Sequence, residues 1–357
     1  GNQALYLNTT GSNNTTNGFS ALLTNTTGIN NIATGYQALY SNTTGINNIA
    51  TGNQTLYANT TGSNHTAMGR NALGSNTTSS SNSAFGGNAL ATNTTGNFNT
   101  AVGLDSLLSS TTASNNTAVG QAAGSSITTG VENTILGSGA GGITTGNQNI
   151  AIGYLPMGGA TTTGSINTTV GFAGLYELTS GGNNTAIGYN AGRSTSPSGS
   201  ITTQSNLIVL GNNNISAAYI KVAWTVTSDA RDKTDFTPLD LGLDFVKELK
   251  PITYKWDMRS NYGDSSAEDY DLDAQAPDGT HKEDWLDIGF KAQEVEALEV
   301  AAGYTRENKT NLVSSLTEDG KQMGLKYEKF VPILVKAIQE QQTLIESLTA
   351  RIAALEE

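Results

Sequence analysis

Few side chains in this sequence are of the types that do chemistry, and their spacing limits what that chemistry is. There is no cysteine, so neither a thiolate nor a disulfide is available. The two histidines, His65 and His281, are far apart in sequence, so no metal site and no cofactor are expected. The first 205 residues hold three carboxylates, Asp105, Glu132 and Glu177, none in a pair. Glycoside hydrolysis generally uses two carboxyl groups a few ångströms apart. In TSDARDK, Ser228 stands five residues before Lys233. A serine hydroxyl becomes a nucleophile when a nearby base takes its proton, but chance supplies this spacing often, and alone it has no weight.

The elements that position these residues fall into two parts. Residues 1–205 carry two cations, Arg70 and Arg193, beside the three acids; the remainder carries 16 cations and 27 acids. Such asymmetry marks two physically different modules. With a net charge of −12 and no basic cluster, nucleic acid is not an expected partner. No apolar run approaches 18 residues, so no membrane insertion is expected. The chain opens at Gly1 in the middle of a repeat, as a piece of a longer protein would.

That repeat is the dominant feature of the first half. Glycine recurs every 17 residues from Gly1 to Gly137, then at Gly153, Gly171 and Gly188. The unit is roughly G-x-x-A-L-x-x-N-T-T-G-x-N-N-T-A-x-G. Ala33, Ala50 and Ala67 mark a narrow inner position, and Leu22, Leu39 and Leu56 alternate with polar neighbours as a half-buried strand would. Thr-Thr-Gly and Asn-Asn are turn formers, the glycine free to take positive φ. The unit is too short for a helix pair. Two short strands and two turns describe one coil of a parallel β-solenoid. Asn and Thr would then stack on themselves in hydrogen-bonded ladders at about 4.8 Å, which accounts for the many Asn-x-Thr triplets better than glycosylation does. Such a coil holds few large apolar residues, so several chains packing their inner faces together are expected to complete the core. NNTAVG (115–120), QNIAIG (148–153) and NNTAIG (183–188) resemble the head repeats of trimeric autotransporter adhesins, which implies a homotrimeric β-roll; the repeat is also similar to that of phage fibre shafts.

Beyond Gly188 the repeat fades through RSTSPSGS into β-rich sequence. Residues 239–249 have helical apolar spacing ended by Pro251, ITYKW reads as a strand, and WLDIGFKAQEVEAL as a strand entering a helix. The last 30 residues carry a heptad seam, with Val331, Ile338, Ile345 and Ile352 at a and Leu334, Gln341, Leu348 and Leu355 at d. Ile at a with Leu at d allows a dimer.

S-D-x-R-x-K at 228–233, LKPITYKW at 249–256, GFKAQEV at 289–295 and the terminal helix occur in this order. Together they resemble the intramolecular chaperone domain of endosialidases and phage tail fibres. The resemblance implies a trimer, with Gln341 as a polar layer, that templates the upstream β-structure and releases itself. It casts Ser228 as nucleophile and Lys233 as base, with the cut between Thr227 and Ser228. His281 is a second candidate for the base, and Asp229 and Arg231 are turn residues.

The sequence thus predicts a mainly β protein: a trimeric solenoid shaft (1–192), a linker and β-rich junction (193–227) and a small α/β chaperone domain (228–357) ending in a coiled coil from about 328. The function this implies is the distal part of a phage tail fibre, a virion component assembled in the host cytoplasm. Its expected partners are two further copies, a host surface receptor of glycan type and an upstream fibre or baseplate protein. A bacterial trimeric adhesin and a glycan-degrading tailspike are the alternatives. Tyr36, Tyr40, Tyr57 and Phe98 are the aromatic rings that could stack on sugars.

Overall fold

In the computed structural model the described residues are 1–357 except 160, 222, 265–269, 318 and 357. They form two compact units, Gly1–Asn214 and Ile215–Glu357.

The first unit is a parallel β-solenoid. Its strands are β1 (Thr15–Asn17), β2 (Ile32–Thr34), β3 (Ile49–Thr51), β4 (Thr66–Met68), β5 (Ser83–Phe85), β6 (Thr100–Val102), β7 (Thr117–Val119), β8 (Thr134–Leu136), β9 (Ile150–Ile152), β10 (Thr168–Val170), β11 (Thr185–Ile187) and β12 (Ile208–Leu210). They form one sheet in chain order. The register is one repeat, as in Ala33↔Ala50. The last step is longer, Thr185↔Ile208, so residues 193–204 lie within the final coil.

Each coil has one three-residue strand where two were expected. The Ala-Leu stretch forms turns, with φ of 54° at Gln37 and 51° at Leu39. Left-handed residues on either side of Ala38 turn the leucine inward, so the apolar alternation comes from a tight corner and not from a pleat. Inter-coil bonding continues through it: Leu39 N donates to Thr55 O at 3.0 Å and Gln37 N to Phe19 O at 2.9 Å.

The glycines also divide differently from expectation. Positive φ belongs to the repeat glycines, such as Gly35 at 134°, where a Cβ would lie 2.3 Å from Gly52 O. The Thr-Thr-Gly glycines are required by space: a Cβ on Gly45 would lie 2.3 Å from Asn42 Oδ1.

The core closes within one chain. Ala33, Ala38, Leu39, Ala50 and Leu56 are fully buried, so inner faces need no second copy. The cross-section is narrow enough for two alanines, one leucine and two asparagine amides per coil to fill it. In one ladder Asn31 Nδ2 donates to Gly45 O (2.8 Å) while its Oδ1 accepts from Asn48 N (3.0 Å). In the other, Asn42 Nδ2 donates to Asn25 Oδ1 at 2.9 Å and Asn59 Nδ2 to Asn42 Oδ1 at 2.8 Å. Thr43 Oγ1 donates to Thr60 O at 3.0 Å in an outer ladder. Buried amides are stable only when paired, and the repeat supplies the partner.

The second unit holds α1 (Leu243–Glu248), β13 (Ile252–Tyr254), β14 (Asp287–Gly289), α2 (Ala292–Ala301), β15 (Ser314–Leu316), β16 (Met323–Leu325) and α3 (Phe330–Glu356). β13 and β14 pair antiparallel, as do β15 and β16. The helix expected over 239–249 starts only at Leu243, because Gly242 is its non-helical N-cap; Glu340 of α3 accepts from Leu243 N at 2.7 Å. Leu241, Phe245, Val295, Val313, Phe330 and Ile333 make the core. Buried Glu299 accepts from the backbone N–H of Leu312, Val313 and Ser314 at 2.6–2.9 Å, tying α2 to the β15–β16 hairpin. Among the described residues no helix is long and apolar enough to cross a membrane.

Two ladder defects give measurable consequences. His65 takes an asparagine's place: its Nδ1 accepts from Asn82 N and its Nε2 donates to Ser79 O at 2.8 Å. Burial pushes its pKa below the ordinary 6.5. The unfolded chain therefore takes up a proton near pH 6.5 that the folded ladder resists, so this stability is complete above that pH and lost below it. Thermal unfolding followed from pH 7 to pH 5 is expected to show a larger fall for the native chain than for His65→Asn; equal falls would reject this. The second defect is Ser110, which ends a ladder and leaves Asn93 Oδ1 and its own hydroxyl without partners. Asn is accompanied three residues later by Gly, or by Ser79, whose hydroxyl bonds Asn76 Oδ1. Ala113 offers neither. Ser110→Asn alone is expected to gain nothing, whereas Ser110→Asn with Ala113→Gly stabilises by about 1 kcal/mol in denaturant titration.

Candidate functional site

The site lies at the start of the charged sequence. The described residues between 215 and 226 run without regular structure, and Trp224 and Val226 are exposed. At Ala230–Asp232 the backbone makes one 3-10 turn, because Asp229 caps it by accepting from Arg231 N at 2.9 Å. The same carboxylate holds the Arg231 guanidinium, with Nη2 at 2.6 Å. That hydrogen-bonded cation keeps the Asp229 carboxyl below its ordinary value of 3.8.

The turn brings Lys233 back over Ser228. Its Nζ lies 2.6 Å from Ser228 Oγ and 3.4 Å from Ser228 O. A hydroxyl and an amine at this distance can exchange a proton directly, once the amine has lost its own. His281, the other candidate, packs edge-on against Tyr262 at 4.8 Å between ring centres.

Residues 228–304, beginning at this serine, match the family model described as chaperone of endosialidase. The C-terminal unit carries an endosialidase-type chaperone domain. No curated protein and no solved structure matches the chain. The match takes in the motifs at 228–233, 249–256 and 289–295 and stops at Tyr304, before α3.

In the same C-terminal unit α3 presents two apolar faces. Phe330, Ile333 and Ala337 are buried in the domain's own core. The heptad positions Val331, Leu334, Ile338, Ile345, Leu348, Ile352 and Leu355 are exposed, as is Gln341. An isolated helix has no cause to keep such a row of aliphatics in water at a 3.5-residue period.

Sequence reasoning missed the long-range anchors. Asp287, exposed, accepts from Trp256 Nε1 at 3.2 Å and Tyr254 OH at 3.3 Å. Burial and this carboxylate push the Tyr254 hydroxyl up to about 12. Pairing between β13 and β14 is the signal that could have found it. Of the rings named as sugar platforms, Tyr36 stacks on Phe19 and Tyr40 on Tyr57, so each pair covers ring faces of its own. Phe98, 63% exposed, lies outside these stacks.

The cap makes a direct prediction. In Arg231→Ala the Asp229 carboxyl, followed by NMR titration, is expected to move up toward 3.8; an unmoved midpoint would show that the guanidinium does not hold it.

Proposed function

We propose that the chain is the distal, receptor-presenting part of a phage-type tail fibre. Three copies assemble through the heptad seam of α3, and the chaperone domain then cuts itself away between Thr227 and Ser228. The observation that carries this reading is the 2.6 Å contact between Ser228 and Lys233 at the first residue of the family match. The bond preceding that serine divides the β-solenoid and its junction from the chaperone domain.

The proposed cut is an acyl shift. Neutral Lys233 takes the Ser228 hydroxyl proton as Oγ adds to the Thr227 carbonyl carbon. The proton passes to the Ser228 nitrogen as the peptide C–N bond breaks. This leaves Thr227 as an ester on Oγ and Ser228 with a free amine. Water then hydrolyses the ester, so that the released fragments are 1–227 and 228–357. A lysine acts as base only when its charged form is disfavoured by burial or by a neighbouring cation. Ser228 and Lys233 are exposed in the single chain, so covering by further copies would license the cut.

The solenoid in this reading is a passive shaft. Its unpaired carboxylates give no glycosidase site, and it serves as the surface offered to a host receptor of glycan type. An upstream fibre or baseplate protein would hold it to a virion built in the host cytoplasm. Denaturing electrophoresis of the full chain is expected to show a 1–227 fragment that Ser228→Ala abolishes. A single full-length band in both would overturn self-cleavage.

A further inference from the structure

In a repeat protein, insertions into the repeat commonly map to the binding face. Three departures from the pattern gather in the last coils of the solenoid. Tyr154, Phe172 and Tyr189 follow the repeat glycines of successive coils and stack at 5.5 and 5.1 Å between ring centres. The final coil takes 23 residues where the repeat has 17. Its added loop, RSTSPSGS, is rich in hydroxyls and closes on itself, Ile201 N donating to Gly192 O at 2.9 Å. Lastly, Glu177 and Arg193 are the two charged residues between 138 and 205.

These departures share one corner. The Arg193 guanidinium carbon lies 4.8 Å from the centre of the Tyr176 ring. Its Nε donates to Glu177 Oε1 and its Nη1 to Asn190 Oδ1, both at 3.4 Å, and Asn190 directly follows Tyr189. The fold does not require the rings: at the same position the middle coils carry Asn53, Arg70, Gly87, Leu104, Gln121 and Ser138. Tyr189 is 57% exposed. One of its faces lies on Phe172, and the equivalent residue of the next coil is Asn212, so no ring of that coil covers the other.

We propose that this corner binds an uncharged saccharide, which lays its C–H face on Tyr189 and turns its hydroxyls toward Arg193 and Glu177. The proposal rests on the receptor reading above and gives it a site and a ligand class. A pyranose has a face of C–H groups and a rim of hydroxyls. The negative face of an aromatic ring attracts the first. A guanidinium only donates and a carboxylate only accepts, so together they hold hydroxyls in both senses. Aromatic lining with a few placed polar groups is the usual make-up of a ligand site. Because the two charges cancel and these coils hold no others, an acidic sugar finds no counter-charge.

The test uses the full chain with Ser228→Ala, so that it stays whole. Its probes are immobilised bacterial polysaccharides: neutral ones built of hexose, 6-deoxyhexose and N-acetylhexosamine, and acidic ones containing uronic or sialic acid. Retention on a neutral polysaccharide is expected. Tyr189→Ala should weaken it about tenfold, the scale of one ring contact with the area it buries. Tyr189→Phe and Tyr36→Ala should leave it unchanged, with the same sedimentation throughout. Retention that survives Tyr189→Ala, or is lost in Tyr36→Ala instead, overturns the site and leaves the receptor reading standing. Retention on acidic polysaccharides alone overturns the ligand class. Altered sedimentation of Tyr189→Ala makes the ring a contact between copies and overturns the site. No retention on any of the polysaccharides overturns the site and the glycan-receptor reading together.

Discussion

Everything in the shaft depends on how closely one coil approaches the next. At the repeat glycines two backbones come so near that no side chain fits: a Cβ on Gly18, Gly35 or Gly86 would lie 2.2–2.4 Å from the carbonyl oxygen one coil on. This contact fixes the rise, and the rise fixes the asparagine ladders. An amide can donate to the coil on one side and accept from the other only when both lie within hydrogen-bond reach. Once that distance is set, Asn is the side chain that satisfies two neighbours at the same height, and the repetition of one polar type follows from geometry.

The same constraint governs the exceptions. Where the inner alanine becomes Ile135, the leucine of that coil becomes Gly141, and a Cβ there would lie 2.9 Å from Ile135 Cδ1. Where Leu is replaced by Gly124, Ile127 supplies the volume, taking the place that asparagine holds in earlier coils; a Cβ on Gly124 would meet its Cδ1 at 3.2 Å. Thr169 is accommodated by Gly174 in place of alanine. Interiors are packed to crystal-like density, and each coil conserves its volume by exchanging bulk between positions that face each other.

This explains what could be read beforehand. The 17-residue period, the inner alanines and the stacked asparagines were legible, because each is a spacing along the chain. So were the heptad spacing of the exposed apolar row on α3 and the nearness of Ser228 to Lys233, which a single turn brings together. The Leu39 corner was misread, because period-2 burial arises equally from a pleated strand and from alternating left-handed residues. Closure of the core within one chain was also missed: counting large apolar residues ignores the buried volume that paired amides fill. Glu299 and Glu340 have no local signature. They gain their roles from backbone N–H groups 13–15 and 97 residues away.

A self-sufficient coil raises the question of why such a shaft would need a chaperone domain. The answer lies in its regularity. Gly28–Gly45 and Gly45–Gly62 are so alike that two copies displaced by one coil would present almost the same surface to each other. Side-by-side association of the shafts alone is therefore nearly degenerate in register. α3 has no such degeneracy. Its seam runs over about four heptads, and Gln341 is the polar side chain among aliphatic a and d positions, so sliding one helix past another would bury that amide against leucine or isoleucine. In the proposed trimer, aligning three ends first would select one register out of many for the whole shaft. After that the aligning domain would have no further part in holding the coils together, so the cut proposed above, at its very first residue, would not loosen what it aligned.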